Sequence, residues 1–134
     1  MPLRQLLQPD SSMKFTDLIN EYKKMVEDGD SIAVINRFYA DNIVQVENNE
    51  PPVQGKNKLL ELEKASIERV FSFDLNITSI LIDELQQKVM GEMFVRFNGK
   101  TGGKKKFHEA FVQHWENEKI IYQRFYYGNV EADT

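Results

Sequence analysis

At 134 residues the chain is the size of one domain, long enough to bury a hydrophobic core without disulfides or structural metals. It contains no cysteine, which excludes thiol nucleophiles, thiolate metal ligands and disulfide staples, and its net charge of -4 speaks against a general nucleic-acid binder with a basic surface. No window approaches the roughly 20 apolar residues of a membrane span, and the N-terminal stretch lacks the apolar run of a signal peptide, so the expectation is a soluble, cytoplasmic protein with no membrane partner.

Asp10, Ser11 and Ser12 are candidate caps for a first helix, whose apolar positions Phe15, Leu18, Ile19, Tyr22, Met25 and Val26 follow the three-and-four spacing of one buried face. Gly29 suits its C-terminal stop. Asp30 or Ser31 caps a second helix, with Ile32, Ile35, Phe38 and Tyr39 facing inward, before Asn42 releases the chain into a strand over Ile43–Glu47. Asn48, Asn49, Pro51 and Pro52 interrupt regular pairing, and a third helix runs from about Lys56 to Arg69, carrying Leu59, Leu60, Leu62 and Ile67.

From there the period changes to two. Phe71, Phe73, Leu75 and Ile77 alternate with polar residues, as in a strand with one buried face. Ile80 and Ile82 fall on the opposite parity, which predicts a bulge near Ser79. Val89–Phe97, Lys105–Trp115 and Ile120–Tyr127 read as three more strands, with hairpin turns at Asn98-Gly99 and Asn117-Glu118. Helices followed by an antiparallel meander give an α+β domain with its helices on one sheet face.

Several polar residues share parity with apolar ones. Glu109 alternates with Phe107, Phe111 and Trp115 on a face that should be buried, and buried glutamates are rare without a partner. Gln113 and Gln123 share the parities of Phe111 and Phe125, so polar groups converge inside the domain, in a pocket or at a polar strand end. With Phe38, Val53, Met93, Val95 and Tyr127 they make the expected lining of a small-molecule site.

The run Phe38–Gly55, FYADNIVQVENNEPPVQG, joins a helix end, a short strand ending in a carboxylate and a Pro-Pro loop before another helix. This order resembles the nuclear transport factor 2 superfamily, including ketosteroid isomerases and SnoaL-like polyketide cyclases. The resemblance covers nearly the whole chain. It implies a cone-shaped cystatin-like roll, three N-terminal helices on a curved, mostly antiparallel sheet, with residues 1–12 as an arm, 13–130 as the domain and 131–134 as a tail. In the isomerases an oxyanion-donating tyrosine lies seven residues before the Gly-Asp that ends the first helix, a place held here by Tyr22. Their catalytic carboxylate lies eight residues after the tyrosine of a Tyr-Ala-Asp, and Tyr39-Ala40-Asp41 gives that place to Glu47. The second acid of their oxyanion site falls on Phe111, with Glu109 the nearest carboxyl on that face; losing that donor removes part of the oxyanion stabilisation.

The implied function is cofactor-independent acid-base chemistry on a small apolar carbonyl or cyclic compound, as an isomerase, cyclase or hydrolase, with Glu47 as base and Tyr22 as donor. The alternative is a non-enzymatic ligand-binding or dimerisation module on the same scaffold. Glu47 also reads as a solvated strand-end carboxylate and Tyr22 as a core tyrosine. No metal site is expected: His108 and His114 are separated by roughly 20 Å of strand and have no cysteine to complete a set. GKTGGKKK, with Lys104–Lys106, departs from phosphate-loop spacing and reads as a solvated hairpin. The opposite sheet parity exposes Phe94, Val112, Tyr122 and Tyr126, an apolar patch that predicts a homodimer.

Overall fold

The computed structural model describes residues 14–134, and the expected caps Asp10, Ser11 and Ser12 and the N-terminal arm lie outside the described residues. Helix α1 (Phe15–Asp28) starts from Lys14, which makes no side-chain cap bond, and ends at Gly29, whose positive φ of 87° and N–H to Val26 O close the last turn. Asp30 caps α2 (Ser31–Phe38) by accepting from the Ala33 N–H at 3.0 Å. Its buried face carries Val34, Ile35 and Phe38, with Ile32 half-buried.

Strand β1 (Tyr39–Glu47) follows α2 without the expected pause at Asn42, because Tyr39 already has extended backbone. After the Pro-Pro loop a two-residue strand β2 (Val53–Gln54) pairs with Val44 and Gln45, and α3 (Lys56–Glu68) follows. The meander is β3 (Val70–Asp83), β4 (Lys88–Gly99), β5 (Gly103–Glu116) and β6 (Lys119–Tyr127), and β7 (Glu131–Ala132) pairs with Lys105 and Lys106 of β5. The sheet order is β2-β1-β6-β5-β4-β3, antiparallel except where β1 runs parallel to β6. This is the expected α+β architecture, helices packed on a curved, mostly antiparallel sheet. Among the described residues no helix is long and apolar enough to cross a membrane.

The predicted phase slip is a register shift between Ile77 and Ser79, and it is tied to a helix: Glu27 of α1 accepts from the Ile77 N–H at 2.9 Å. The Asn117-Glu118 turn has positive φ at both residues, as a tight hairpin of this twist requires. The other turn is displaced from Asn98-Gly99. Gly99 still pairs with Gly103, so the strands run longer and the turn falls at Lys100–Gly102.

The core lies between α1, α2 and the concave sheet face. Phe15, Tyr22, Phe38 and Trp115 meet edge to face, with ring centroids 5.3–6.0 Å apart, and close the narrow end of the cone. Phe111 fills the floor beside them because its cross-strand partner is Gly91; a Cβ there would meet the ring at 2.7 Å and collide with the Ser79 carbonyl. Helix α3 stands further off. Leu59 is its only buried residue, and Leu62 is left 42% exposed, because open space separates this helix from the sheet.

Candidate functional site

That space is a cavity of about 1000 Å³ bounded by α3, the β1–β2 loop and the concave sheet face. Its lining is mostly apolar, with Leu59, Leu62 and Ile67 of α3 opposite Leu75, Met93 and Val95 of the sheet. Strand β5 runs along it and carries the polar logic of the site. Successive inward residues are Lys105, Phe107, Glu109, Phe111, Gln113 and Trp115, from the open mouth to the sealed end.

Glu109 stands midway, flanked across the strands by Met93 and Tyr127. Among the described residues nothing hydrogen-bonds or ion-pairs with its carboxyl. Burial, and secondarily the charge of Glu47, push its pKa up to about 7. A carboxyl so placed is divided between acid and conjugate base near neutral pH, the condition a proton-exchanging group needs.

Glu47 lies at the rim. It lines the same cavity yet is exposed, and Tyr127 donates to its Oε1 at 3.1 Å. Burial and the Glu47 and Glu109 charges raise the Tyr127 pKa. Tyr22 is at the other end, 3% exposed, with burial as the main cause of a pKa pushed up to about 12. Glu47 and Tyr22 thus line one cavity from opposite ends, with Glu109 between them.

Of the expected lining, Val53, Met93, Val95, Glu109, Phe125 and Tyr127 stand on the cavity wall. Phe38, Phe111, Gln113 and Gln123 do not. Each is at most 1% exposed, sealed behind the wall by the aromatic cluster and the Gly91 contact. The two glutamines do converge, but on each other: Gln113 Nε2 donates to Gln123 Oε1 at 3.1 Å. Trp115 Nε1 donates to Gln113 Oε1 at 3.1 Å, and Gln113 Nε2 also donates to Tyr22 Oη at 2.9 Å. Gln123 Nε2 donates to Tyr39 Oη at 2.7 Å and to Gln45 Oε1 at 2.6 Å. Two buried amides are thereby satisfied without water.

Sequence reasoning missed Gln45 and the role of Tyr39, both of which line the cavity. Gln45 was detectable, since it shares the parity of Glu47. Tyr39 looked like the last apolar residue of α2, and only its extended backbone turns it toward the sheet.

The histidines lie on the convex face, away from the cavity, His108 against Phe94 and His114 against Tyr122. Among the described residues no group of three or more His, Asp or Glu is placed to hold a metal ion. On that same face Tyr126 is 46% exposed, with Phe94, Val112 and Tyr122 partly covered.

No protein-family model matches the sequence, and no curated protein matches it. Solved structures do match. A candidate SnoaL-like polyketide cyclase from Mesorhizobium loti superposes with a TM-score of 0.71 at 21% identity, over 86% of this chain and 100% of that one. The epoxide hydrolase/cyclase-like enzyme SalBIII, of pyran ring formation in the polyether salinomycin, gives 0.74 at 14% identity, over 90% and 96%. An LEH-like epoxide hydrolase from M. tuberculosis gives 0.70 at 14%, over 90% and 83%. The chain therefore has the nuclear transport factor 2-like fold. Within it, the architecture is the one shared with the SnoaL-like and LEH-like structures, a likeness of fold at these identities.

Proposed function

We propose that the protein binds a small, largely apolar carbonyl or cyclic compound in the cavity and moves a proton on it without a cofactor. The observation that carries this reading is the Glu109 carboxyl, largely buried on the wall of a large apolar cavity with no hydrogen-bond or ion-pair partner among the described residues. A structural glutamate withdrawn this far from water normally has a partner. Glu109 is the group that takes a proton from carbon α to a carbonyl and returns it. Tyr22 donates to the oxygen on which negative charge develops. Burial first, and the neighbouring charge of Glu47 second, hold the Glu109 proton affinity near neutrality, and Glu47 serves as the rim carboxylate through which a proton passes to solvent. Roughly 13 Å of strand separates the Cα atoms of Glu109 and Gln113, the residue that holds Tyr22, a span suited to one or two rings. The folds of the cyclase-like and epoxide hydrolase-like neighbours support a substrate of this kind.

The test is deuterium exchange at the α-carbon of a bicyclic ketone such as 2-tetralone in D2O, followed by NMR. Saturable exchange above the buffer rate is expected, and Glu109→Gln should cut it on the order of a hundredfold. Binding without any acceleration would reject the enzyme and favour the ligand-binding module.

A further inference from the structure

We propose that Tyr39 is a second hydrogen-bond donor of the ligand site, paired with Tyr22, and that the two phenols together select a neutral oxygen acceptor, a ketone, ether or epoxide oxygen, on an otherwise apolar ligand. This rests on the reading that the cavity takes such a compound, and it follows from the direction of the buried hydrogen bonds.

The direction is set at the sealed end. An indole N–H can only donate, so the group that Trp115 Nε1 meets at 3.1 Å must be the Gln113 carbonyl oxygen. The Gln113 amide nitrogen then has no choice but to donate, to Tyr22 Oη at 2.9 Å and to Gln123 Oε1 at 3.1 Å. The orientation of Gln123 is thereby fixed in turn, and its nitrogen donates to Tyr39 Oη at 2.7 Å and Gln45 Oε1 at 2.6 Å.

Both phenol oxygens therefore accept, and neither hydroxyl proton has a short hydrogen bond. Tyr22 has no acceptor for its proton among the described residues. Tyr39 reaches only Gln45 Oε1, at 3.5 Å, a contact long for a hydroxyl on an oxygen that also accepts from Gln123 at 2.6 Å, so its proton can turn to a better acceptor in the cavity. Both side chains line the cavity, whereas the glutamines that orient them do not. The two hydroxyls are also held neutral: burial is the main cause of the raised pKa of each. The sealed end thus offers two hydroxyl protons against one acceptor that already takes a hydrogen bond, Gln45 Oε1, which favours a carbonyl or ether oxygen over an alcohol or amine that must donate.

The experiment compares 2-acetylnaphthalene with its hydrocarbon isostere 2-isopropenylnaphthalene by equilibrium dialysis. The wild type should prefer the ketone on the order of twentyfold, about fivefold per hydrogen bond. Tyr22→Phe and Tyr39→Phe should each lose about one such factor, and the double variant the whole preference, while hydrocarbon affinity stays constant and reports an intact fold. The infrared carbonyl stretch of the bound ketone should lie below its value in hexane and rise in steps with each substitution. A merely structural tyrosine would not move that band. A Tyr39→Phe variant with unchanged preference and stretch would overturn the pairing alone, whereas equal wild-type affinity for the two compounds would overturn it together with the donor role of Tyr22. If the wild type bound neither compound, the pairing and the reading beneath it would both fall.

Discussion

Replacing Glu109 by Gln should make the protein more stable at alkaline pH and leave it nearly unchanged in acid. The side chain keeps its shape and loses its charge. In the folded protein the carboxyl has a pKa of about 7, against 4.5 ordinarily, because burial and the charge of Glu47 oppose ionisation. Each pKa unit corresponds to about 1.4 kcal/mol, so ionised Glu109 costs the fold on the order of 3 kcal/mol. The direction follows from linkage. Between the two pKa values the folded state binds more protons than the unfolded chain, so this contribution is fully present below about pH 4.5 and is lost as pH rises through 7. Other titrations are common to both proteins and cancel in the difference. For a domain of this size the gap corresponds to roughly 10 °C in melting temperature. Urea unfolding of wild type and variant from pH 4 to pH 8.5 should show curves that coincide at the acid end, diverge through pH 5–7, and run parallel above. A difference independent of pH would refute the burial of this carboxyl on the cavity wall. A variant less stable than wild type at pH 8 would show that Glu109 has a partner there.

The convex face should hold a homodimer: light scattering should give twice the chain mass at micromolar concentration, and Tyr126→Glu, which puts a charge on the 46%-exposed aromatic of that face, should yield monomers; a monomeric wild type would sink the idea. Gly91→Ala should cost about 3 kcal/mol in urea unfolding, since the added methyl meets Phe111 and a backbone carbonyl that cannot move away; Phe111→Leu should rescue it only in part, and full rescue would show that the Ser79 carbonyl yields.

Alternation along the strands was enough to place Glu109, Phe125 and Tyr127 on the concave face, because one residue of slip would have turned every one of them to solvent. Parity does not report depth, however. Gln113 and Glu109 have the same parity, yet one is sealed at 0% exposure and the other faces open space. What separates them is the distance of α3 from the sheet and the stacking of Phe38, Tyr22 and Trp115, both set by contacts between residues far apart in sequence. Glu47 shows the converse: its position at a strand end beside a polar loop already marked it as solvated, and it is exposed at the rim. The strands β2 and β7 were invisible for another reason. Two-residue strands have no period of their own and exist only because β1 and β5 offer free edges.

The site is asymmetric along β5, and that asymmetry is what argues for chemistry over mere storage. At the sealed end every polar atom belongs to a chain of hydrogen bonds whose direction starts at one indole, so the tyrosines there are held in place and cannot rearrange around a guest. Fixed dipoles of that kind stabilise a developing charge without reorganising. Toward the mouth the arrangement is the opposite: Glu109 lacks a partner, and Glu47 reaches water. On the proposed reading, a proton is exchanged at Glu109 while the oxygen of the same molecule is held at the far end. A simple carrier would gain affinity from a partner for Glu109, and a charged carboxyl in that place only weakens it for apolar cargo. The feature that lowers the stability of the fold is the one that acid-base chemistry requires.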